Sequence, residues 1–141
     1  MKTEGFNVLL VDDEPDFLYP LVKRLVKRQL NVETAGSGRE AIQLIAEKPF
    51  DVVVVDVKMP GMSGLEVLRT IKAAKALTEV IILSGHASMD AAIEGMEQGA
   101  FDYLMKPVDF DELFFKLQDA YKKKMIQEQK ILQMKERRDQ G

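Results

Sequence analysis

Five short apolar segments alternate along the chain with five segments of helical periodicity. The apolar segments predict buried strands, because they are rich in β-branched and aliphatic residues; they are Phe6–Val11, Val32–Ala35, Val52–Val55, Val80–Leu83 and Tyr103–Met105. Helices are predicted between them and after the last one. Their apolar residues recur at helical spacing, as in Phe17, Leu21 and Leu25 of the first. Strand–helix alternation with short connections predicts an α/β fold, a parallel sheet with helices on both faces.

Local signals place the starts of three helices. A Ser or Asp precedes a Glu by three residues at Ser37/Glu40, Ser63/Glu66 and Asp109/Glu112. Each pair fits a capping box, in which the two side chains satisfy free backbone amides at the helix start. Pro20 lies inside the first predicted helix, where we expect it to remove a hydrogen bond or bend the axis.

Composition excludes several classes of site. The 141 residues contain no Cys, which excludes disulfides, Cys-ligated zinc and a thiol nucleophile. The chain has one His, which excludes a metal site with several histidines. No apolar run approaches the roughly 20 residues of a membrane span, and the N-terminus lacks the apolar stretch of a signal peptide. We therefore expect a cytoplasmic location and no membrane contact. A net charge of −3 argues against nucleic-acid binding by most of the chain.

Polar side chains follow four of the five predicted strands. Asp12, Asp13 and Glu14 follow the first strand, and Asp56 directly follows the third. Ser84, Gly85 and His86 follow the fourth strand, and Lys106 and Pro107 follow the fifth. Because ligands of open parallel sheets bind beyond the carboxyl ends of the strands, we expect these groups to form one site.

Clustered carboxylates must either stay partly protonated or recruit a cation. Two unit charges about 4 Å apart repel by about 4 kcal/mol at an effective dielectric constant of about 20. Oxygen ligands without Cys or several His suit Mg²⁺, which binds carboxylates together with phosphate oxygens. Lys106 and Ser84 can bind a phosphoryl group, and Asp is a known covalent acceptor. The residues thus predict a Mg²⁺-dependent site that phosphorylates an aspartate.

Four segments together resemble the receiver domain of bacterial two-component response regulators. They are Val11-Asp12-Asp13-Glu14-Pro15, Val55-Asp56-Val57-Lys58-Met59-Pro60-Gly61-Met62-Ser63-Gly64, Leu83-Ser84-Gly85-His86 and Asp102-Tyr103-Leu104-Met105-Lys106-Pro107. Their order and spacing match the family from about residue 5 to residue 121. The resemblance implies a flavodoxin-like, doubly wound sheet of five strands in the order 2-1-3-4-5. The last segment is similar to receivers of the nitrogen-regulation type.

The resemblance also implies a role for each site residue. Asp56 would accept the phosphoryl group from a phosphohistidine of a sensor histidine kinase. Asp12, Asp13, Asp56 and the backbone carbonyl of Lys58 would hold Mg²⁺, with Asp12 acting largely through water. Ser84 and Lys106 would bind the phosphoryl oxygens.

Three further features are implied in the same way. Tyr103 would be a switch residue that turns inward when Ser84 moves toward the phosphate. Lys58 and His86 would tune the lifetime of the phosphate. The peptide bond between Lys106 and Pro107 would be cis.

The C-terminal segment differs from the rest of the chain. Lys and Arg outnumber Asp and Glu by 8 to 4 in residues 116–141, and helical periodicity continues to about Arg138. We divide the chain into a receiver domain, 1–121, and a basic helical extension or linker, 122–141. The extension is either a solvated helix, a dimerising coiled coil or a linker to another domain. Nucleic-acid contact by this segment has little support.

Two rival functions remain open. A metal-dependent phosphatase or phosphotransferase could act on a separate substrate through an aspartyl phosphate, but it needs a second Asp two residues after the nucleophile, where this chain has Lys58. A phosphorylation-independent interaction module could use the acids only to bind Mg²⁺. We favour a switch that catalyses only its own phosphorylation and dephosphorylation and acts on a partner or output domain.

Overall fold

Five strands and five helices alternate in the computed structural model, which describes residues 5–85 and 88–141. The strands are β1 (Asn7–Val11), β2 (Asn31–Ala35), β3 (Val52–Asp56), β4 (Glu79–Ser84) and β5 (Asp102–Met105). The helices are α1 (Pro15–Lys27), α2 (Gly38–Glu47), α3 (Gly64–Ala74), α4 (Met89–Glu97) and α5 (Phe110–Gln140).

The strands form one parallel sheet in the order β2-β1-β3-β4-β5. Val11 is in register with Ala35 on one side and Val55 on the other, so β3 extends one residue beyond the end of β1. Asp56 and Ser84 belong to the last rungs of their strands, opposite Leu83 and Met105. The predicted fold class and strand order are confirmed.

Alternate strand residues contribute to cores on the two faces of the sheet. Leu9 and Val53 pack with α2, α3 and α4, whereas Leu10 and Val54 pack with α1 and α5. Most side chains of the three central strands are buried, because helices cover both faces. The helices therefore leave the carboxyl edge of the sheet free for the polar groups.

Two of the predicted strands, β3 and β4, end one residue earlier than the observed strands. The prediction ended β3 at Val55 and β4 at Leu83, but Asp56 and Ser84 continue the parallel pairing. Backbone pairing is insensitive to side-chain polarity, so a polar residue can end a strand that the apolar pattern ends one position earlier. Pro20 is exposed inside α1, and the helix continues past it to Lys27.

One of the three predicted capping boxes is complete. Ser63 accepts a hydrogen bond from the Glu66 amide, and the Glu66 carboxylate accepts one from the Ser63 amide. Ser37 accepts from the Glu40 amide.

The other two predicted boxes are wrong in part. The Glu40 carboxylate accepts from the Gly36 amide, one residue earlier than a capping box requires. The Asp109 carboxylate accepts from the Asp111 amide, one residue before the Glu112 amide that a capping box requires.

Helix α5 is much longer than the sheet requires. Its 31 residues span about 46 Å. Its last fully buried residue is Ala120, and every side chain from residue 129 onward is exposed. This confirms the predicted extended C-terminal helix. Neither α5 nor any other helix in the described ranges has a stretch apolar enough to cross a membrane.

Candidate functional site

The site lies at the carboxyl edge of the sheet, where four strand ends meet. Asp12 follows β1, Asp56 ends β3, Ser84 ends β4 and Lys106 follows β5. The parallel pairing of these strands brings their ends to one edge, although the residues are far apart in sequence. Asp12, Asp56 and Ser84 are almost fully buried.

Four carboxylates converge at this edge. Asp12, Asp13, Glu14 and Asp56 each offer an oxygen, and these oxygens all lie within 4.8 Å of one another. Asp12 and Asp56 are buried, whereas Asp13 and Glu14 are exposed. Glu14 was absent from the predicted metal ligands, although its place in the acidic run after β1 was the signal that could have included it.

Backbone amides fix the two buried carboxylates. The Glu14 amide donates to Oδ1 of Asp12 at 2.9 Å, and the Lys58 amide donates to Oδ1 of Asp56 at 2.9 Å. Each amide lies two residues after the acid that it contacts, so the loop after each strand orients the carboxylate at its end. The second oxygen of each acid is left to face the centre of the cluster.

Lys106 provides the positive charge at that centre. Its Nζ lies 2.7 Å from Oδ2 of Asp12, 2.8 Å from Oδ2 of Asp56 and 3.0 Å from Oε1 of Glu14. The Lys106 side chain is 21% exposed. One partly buried ammonium thus bridges three carboxylates from two different loops. The Lys106–Pro107 peptide bond is cis, as predicted.

Burial and pairing act in opposite directions on these groups. Burial raises the pKa of Asp12, and the interaction with Lys106 offsets only part of that increase. Burial alone would lower the pKa of Lys106, but its close contacts with the carboxylates of Asp12, Asp56 and Glu14 outweigh burial and leave the pKa raised. Lys106 is therefore charged at neutral pH. Ionisation of Asp12 at that pH lowers the stability of the folded state, because its carboxylate is buried.

Carboxylates in this arrangement fit Mg²⁺. All the converging ligand atoms are oxygens, which is the donor set that Mg²⁺ prefers. Oδ2 of Asp12 is buried and, among the described residues, has no aligned hydrogen bond despite the nearby ammonium. A divalent cation would satisfy that oxygen and relieve the repulsion among the acids.

Ser84 and Tyr103 lie on neighbouring strands next to this cluster. The buried Ser84 hydroxyl donates to the Gly85 carbonyl at 3.0 Å. The Tyr103 ring is 37% exposed, and the Lys116 Nζ lies 5.5 Å from its centroid. Tyr103 therefore lies on the outside of β5, while Ser84 faces inward. Lys58 is exposed beside Asp56, and His86 lies outside the described residues.

Comparisons with known proteins agree with this geometry. The family model described as response regulator receiver domain matches residues 8–118. The chain is 38% identical over 120 residues to the transcriptional regulatory protein ZraR of Escherichia coli K12, covering 85% of this chain and 27% of that protein. It is 41% identical over 105 residues to the DNA-binding transcriptional regulator NtrC of the same strain, covering 74% of this chain and 22% of that protein. The chain thus spans about a quarter of the length of these relatives.

A solved structure shows the same architecture. The crystal structure of a response regulator receiver domain protein from Clostridium thermocellum has 37% sequence identity and a TM-score of 0.82. The match covers 86% of this chain and 98% of that one. Receiver domains of this kind are signalling domains of two-component systems and not classical enzymes. From its sequence match, its strand order and the acids and lysine at its sheet edge, the chain belongs to the response regulator receiver domain family.

Proposed function

We propose that this chain is a phosphorylation-activated switch in which Asp56 accepts a phosphoryl group from a sensor histidine kinase. The observation that carries the proposal is the contact of Lys106 with two buried acids, Asp12 and Asp56, at one sheet edge. An ammonium within 2.8 Å of Asp56 is well placed to stabilise charge on an incoming phosphoryl group.

In this reaction a carboxylate oxygen of Asp56 attacks the phosphorus of the phosphohistidine. An oxygen–phosphorus bond forms, the nitrogen–phosphorus bond breaks, and its electron pair stays on the imidazole nitrogen. Lys106 and the Ser84 hydroxyl bind the oxygens of the transferred group. Hydrolysis of the aspartyl phosphate later regenerates the carboxylate, and Lys58 and His86 tune its rate.

Asp12, Asp13, Asp56 and the Lys58 backbone carbonyl would hold Mg²⁺ in the working protein. The bound ion supplies charge neutralisation for the phosphoryl oxygens and the acids. The chain's own contribution is to orient the carboxylates, since the Glu14 and Lys58 amides fix Oδ1 of Asp12 and Asp56. Because the amides contact Oδ1, Oδ2 of each acid is left for ligand binding.

The switch follows from the new charge beside Ser84. Phosphorylation adds about two negative charges, which attract the hydroxyl and the ammonium. Movement of Ser84 toward the phosphate leaves space that the Tyr103 ring, now on the outside of β5, can fill. The surface of α4, β5 and α5 changes as a result and controls a partner or an output domain.

The same proposal assigns roles to the two parts of the chain. Residues 1–121 act as the receiver in the cytoplasm, and residues 122–141 act as a helical extension that joins two copies. Four exposed apolar side chains beyond the receiver support the pairing, namely Ile126, Ile131, Leu132 and Met134. The molar mass in solution, with and without beryllofluoride as a phosphate mimic, tests this pairing; a monomer in both conditions contradicts it.

Intact-protein mass spectrometry tests the phosphorylation. Incubation with acetyl phosphate and Mg²⁺ should add the mass of one phosphoryl group, and Asp56→Asn should abolish the addition. Asp119→Asn is a matched control, because Asp119 is an exposed acid of α5 far from the cluster in sequence. Equal labelling of Asp56→Asn would overturn the assignment, and sustained turnover of a small phosphoester would favour an enzyme.

A further inference from the structure

The Lys106 ammonium has an aromatic neighbour in addition to its three carboxylates. Nζ of Lys106 lies 4.3 Å from the centroid of the Phe17 ring, which is half-buried near the start of α1. This distance is within the range of a cation–π interaction, in which the negative face of the ring attracts the cation. The sequence pattern assigned Phe17 only to the core-facing stripe of α1.

The start of α1 links this ring to the acidic loop. The Glu14 carbonyl accepts a hydrogen bond from the Phe17 amide at 3.1 Å. The Glu14 amide in turn donates to Oδ1 of Asp12. The backbone that orients Asp12 therefore also places the ring, and the ring and the acid reach Lys106 together.

The four neighbours of Lys106 respond differently to a divalent cation. The Lys106 ammonium donates hydrogen bonds to Asp56 and Glu14, and it forms a close ion pair with Asp12. A cation held by Asp12 and Asp56 would reduce their attraction for Lys106 and would itself repel the ammonium. The ring face offers no metal ligand, so its attraction for Lys106 persists.

From this difference we propose that Phe17 is a positioning residue for phosphorylation of Asp56. Its ring face keeps the Lys106 ammonium beside Asp56 when the carboxylate oxygens of Asp12 and Asp56 bind the metal. One ammonium donor then turns from a carboxylate to an oxygen of the incoming phosphoryl group. This role rests on the proposed function, because it presupposes that Asp56 is the acceptor.

Fluorination of the ring tests the role without changing its shape greatly. Successive fluorine atoms withdraw electron density from the ring face and weaken cation binding. Phe17 is replaced by mono-, di- and trifluorophenylalanine, and the rate of Asp56 phosphorylation by acetyl phosphate is measured in Mg²⁺. We expect a stepwise fall of about fivefold in total, a similar loss in Phe17→Leu, and a rate near wild type in Phe17→Tyr.

Phe114 provides a matched control. It is half-buried on α5, and its ring centroid lies 4.7 Å from Cζ of Arg28, so it makes a cation–π contact elsewhere in the fold. The same fluorine series at Phe114 should leave the phosphorylation rate unchanged. An equal effect at both positions would assign the loss to general destabilisation and overturn the positioning role.

A second readout needs neither metal nor phosphate. The ring face should shift the ε-methylene proton resonances of Lys106 upfield in the metal-free protein, and Phe17→Leu should remove that shift. Normal resonances in the wild type, or a phosphorylation rate that is constant across the fluorine series, would overturn the inference while leaving Asp56 as acceptor. A wild-type chain that takes up no phosphoryl group would instead overturn the proposed function itself.

Discussion

Nζ of Lys106 lies 2.8 Å from Oδ2 of Asp56, although 50 positions separate the two residues in the chain. The contact joins the loop after β5 to the end of β3, two strands that are not neighbours in the sheet. Asp12 shares the same ammonium from the end of β1. This ion pair therefore fixes the relative positions of three strand ends and the charge at the site.

Replacement of Lys106 by Met should separate two effects of its charge. Loss of the ammonium leaves Asp12 and Asp56 close together without compensation, so the free energy of unfolding should fall by about 1–2 kcal/mol in the absence of metal. Mg²⁺ should bind more tightly, because the competing cation is gone. Urea unfolding and Mg²⁺ titration measure the two effects; unchanged Mg²⁺ affinity would contradict the shared use of these carboxylates.

The raised pKa of Asp12 gives its carboxylate a defined effect on stability. The native pKa lies above the ordinary value of 3.8, so the folded state binds more protons between the two values. The contribution of Asp12 to stability therefore falls as the pH rises from 3.8 through the native pKa. Asp12→Asn should be more stable than the wild type at neutral pH without metal, and this advantage should shrink in acid. Unfolding free energies measured across pH check the sign, and an advantage that grows toward acid would contradict it.

Magnesium should offset the destabilisation that the buried Asp12 carboxylate causes in the wild type. A ligand that binds the native state adds stability in proportion to the logarithm of its concentration. The melting temperature should therefore rise with Mg²⁺ and rise less in Asp13→Asn, which removes a ligand. An equal rise in both proteins would place the bound ion elsewhere.

Gly64 lies where α3 begins against the end of β3. A Cβ at this position would overlap the backbone carbonyl oxygen of Asp56 and lie 2.7 Å from Cα of Val57. Backbone atoms cannot move aside as a side chain can, so Gly64→Ala should lower the free energy of unfolding by about 2–3 kcal/mol and slow phosphorylation. Gly36→Ala is the control, because a Cβ there meets its nearest atom, the flexible Glu40 carboxylate, at 3.8 Å. A stable, fully active Gly64→Ala would contradict the close approach.

The junction between the sheet and the extended part of α5 is held by two ion pairs. Lys124 lies 2.9 Å from Oδ1 of Asp51, and Lys123 lies 3.3 Å from Oε2 of the buried Glu79. A chain that ends at residue 121 loses both lysines and should be less stable by about 1–3 kcal/mol, because Glu79 stays buried without that partner.

A chain that ends at residue 128 is the natural control for this truncation. It keeps both lysines, and every side chain that it lacks is exposed. Its unfolding free energy should match that of the full chain. Equal stability of all three chains would contradict a structural role for the two pairs.

Periodicity was enough to predict a parallel sheet covered by helices, because buried parallel strands and amphipathic helices leave distinct apolar patterns. The strand order came instead from the family resemblance. The acids at positions 12, 13 and 56 could be grouped in advance, since parallel strands bring their carboxyl ends to one edge. Phe17 could not be assigned to the site in advance. An apolar residue on the core-facing stripe of α1 has the same sequence pattern whether or not a cation lies on its ring. The reciprocal bond of Glu40 depended in the same way on loop geometry that residue spacing does not encode.

Chemical mapping of the phosphorylated residue tests the central claim most directly. The protein is treated with acetyl phosphate and Mg²⁺, and borohydride then reduces any aspartyl phosphate to homoserine. Peptide sequencing by mass spectrometry should find homoserine at position 56 and Asp at positions 12 and 13. Homoserine at another position, or unmodified Asp56 under conditions that label a known receiver domain, would contradict the account.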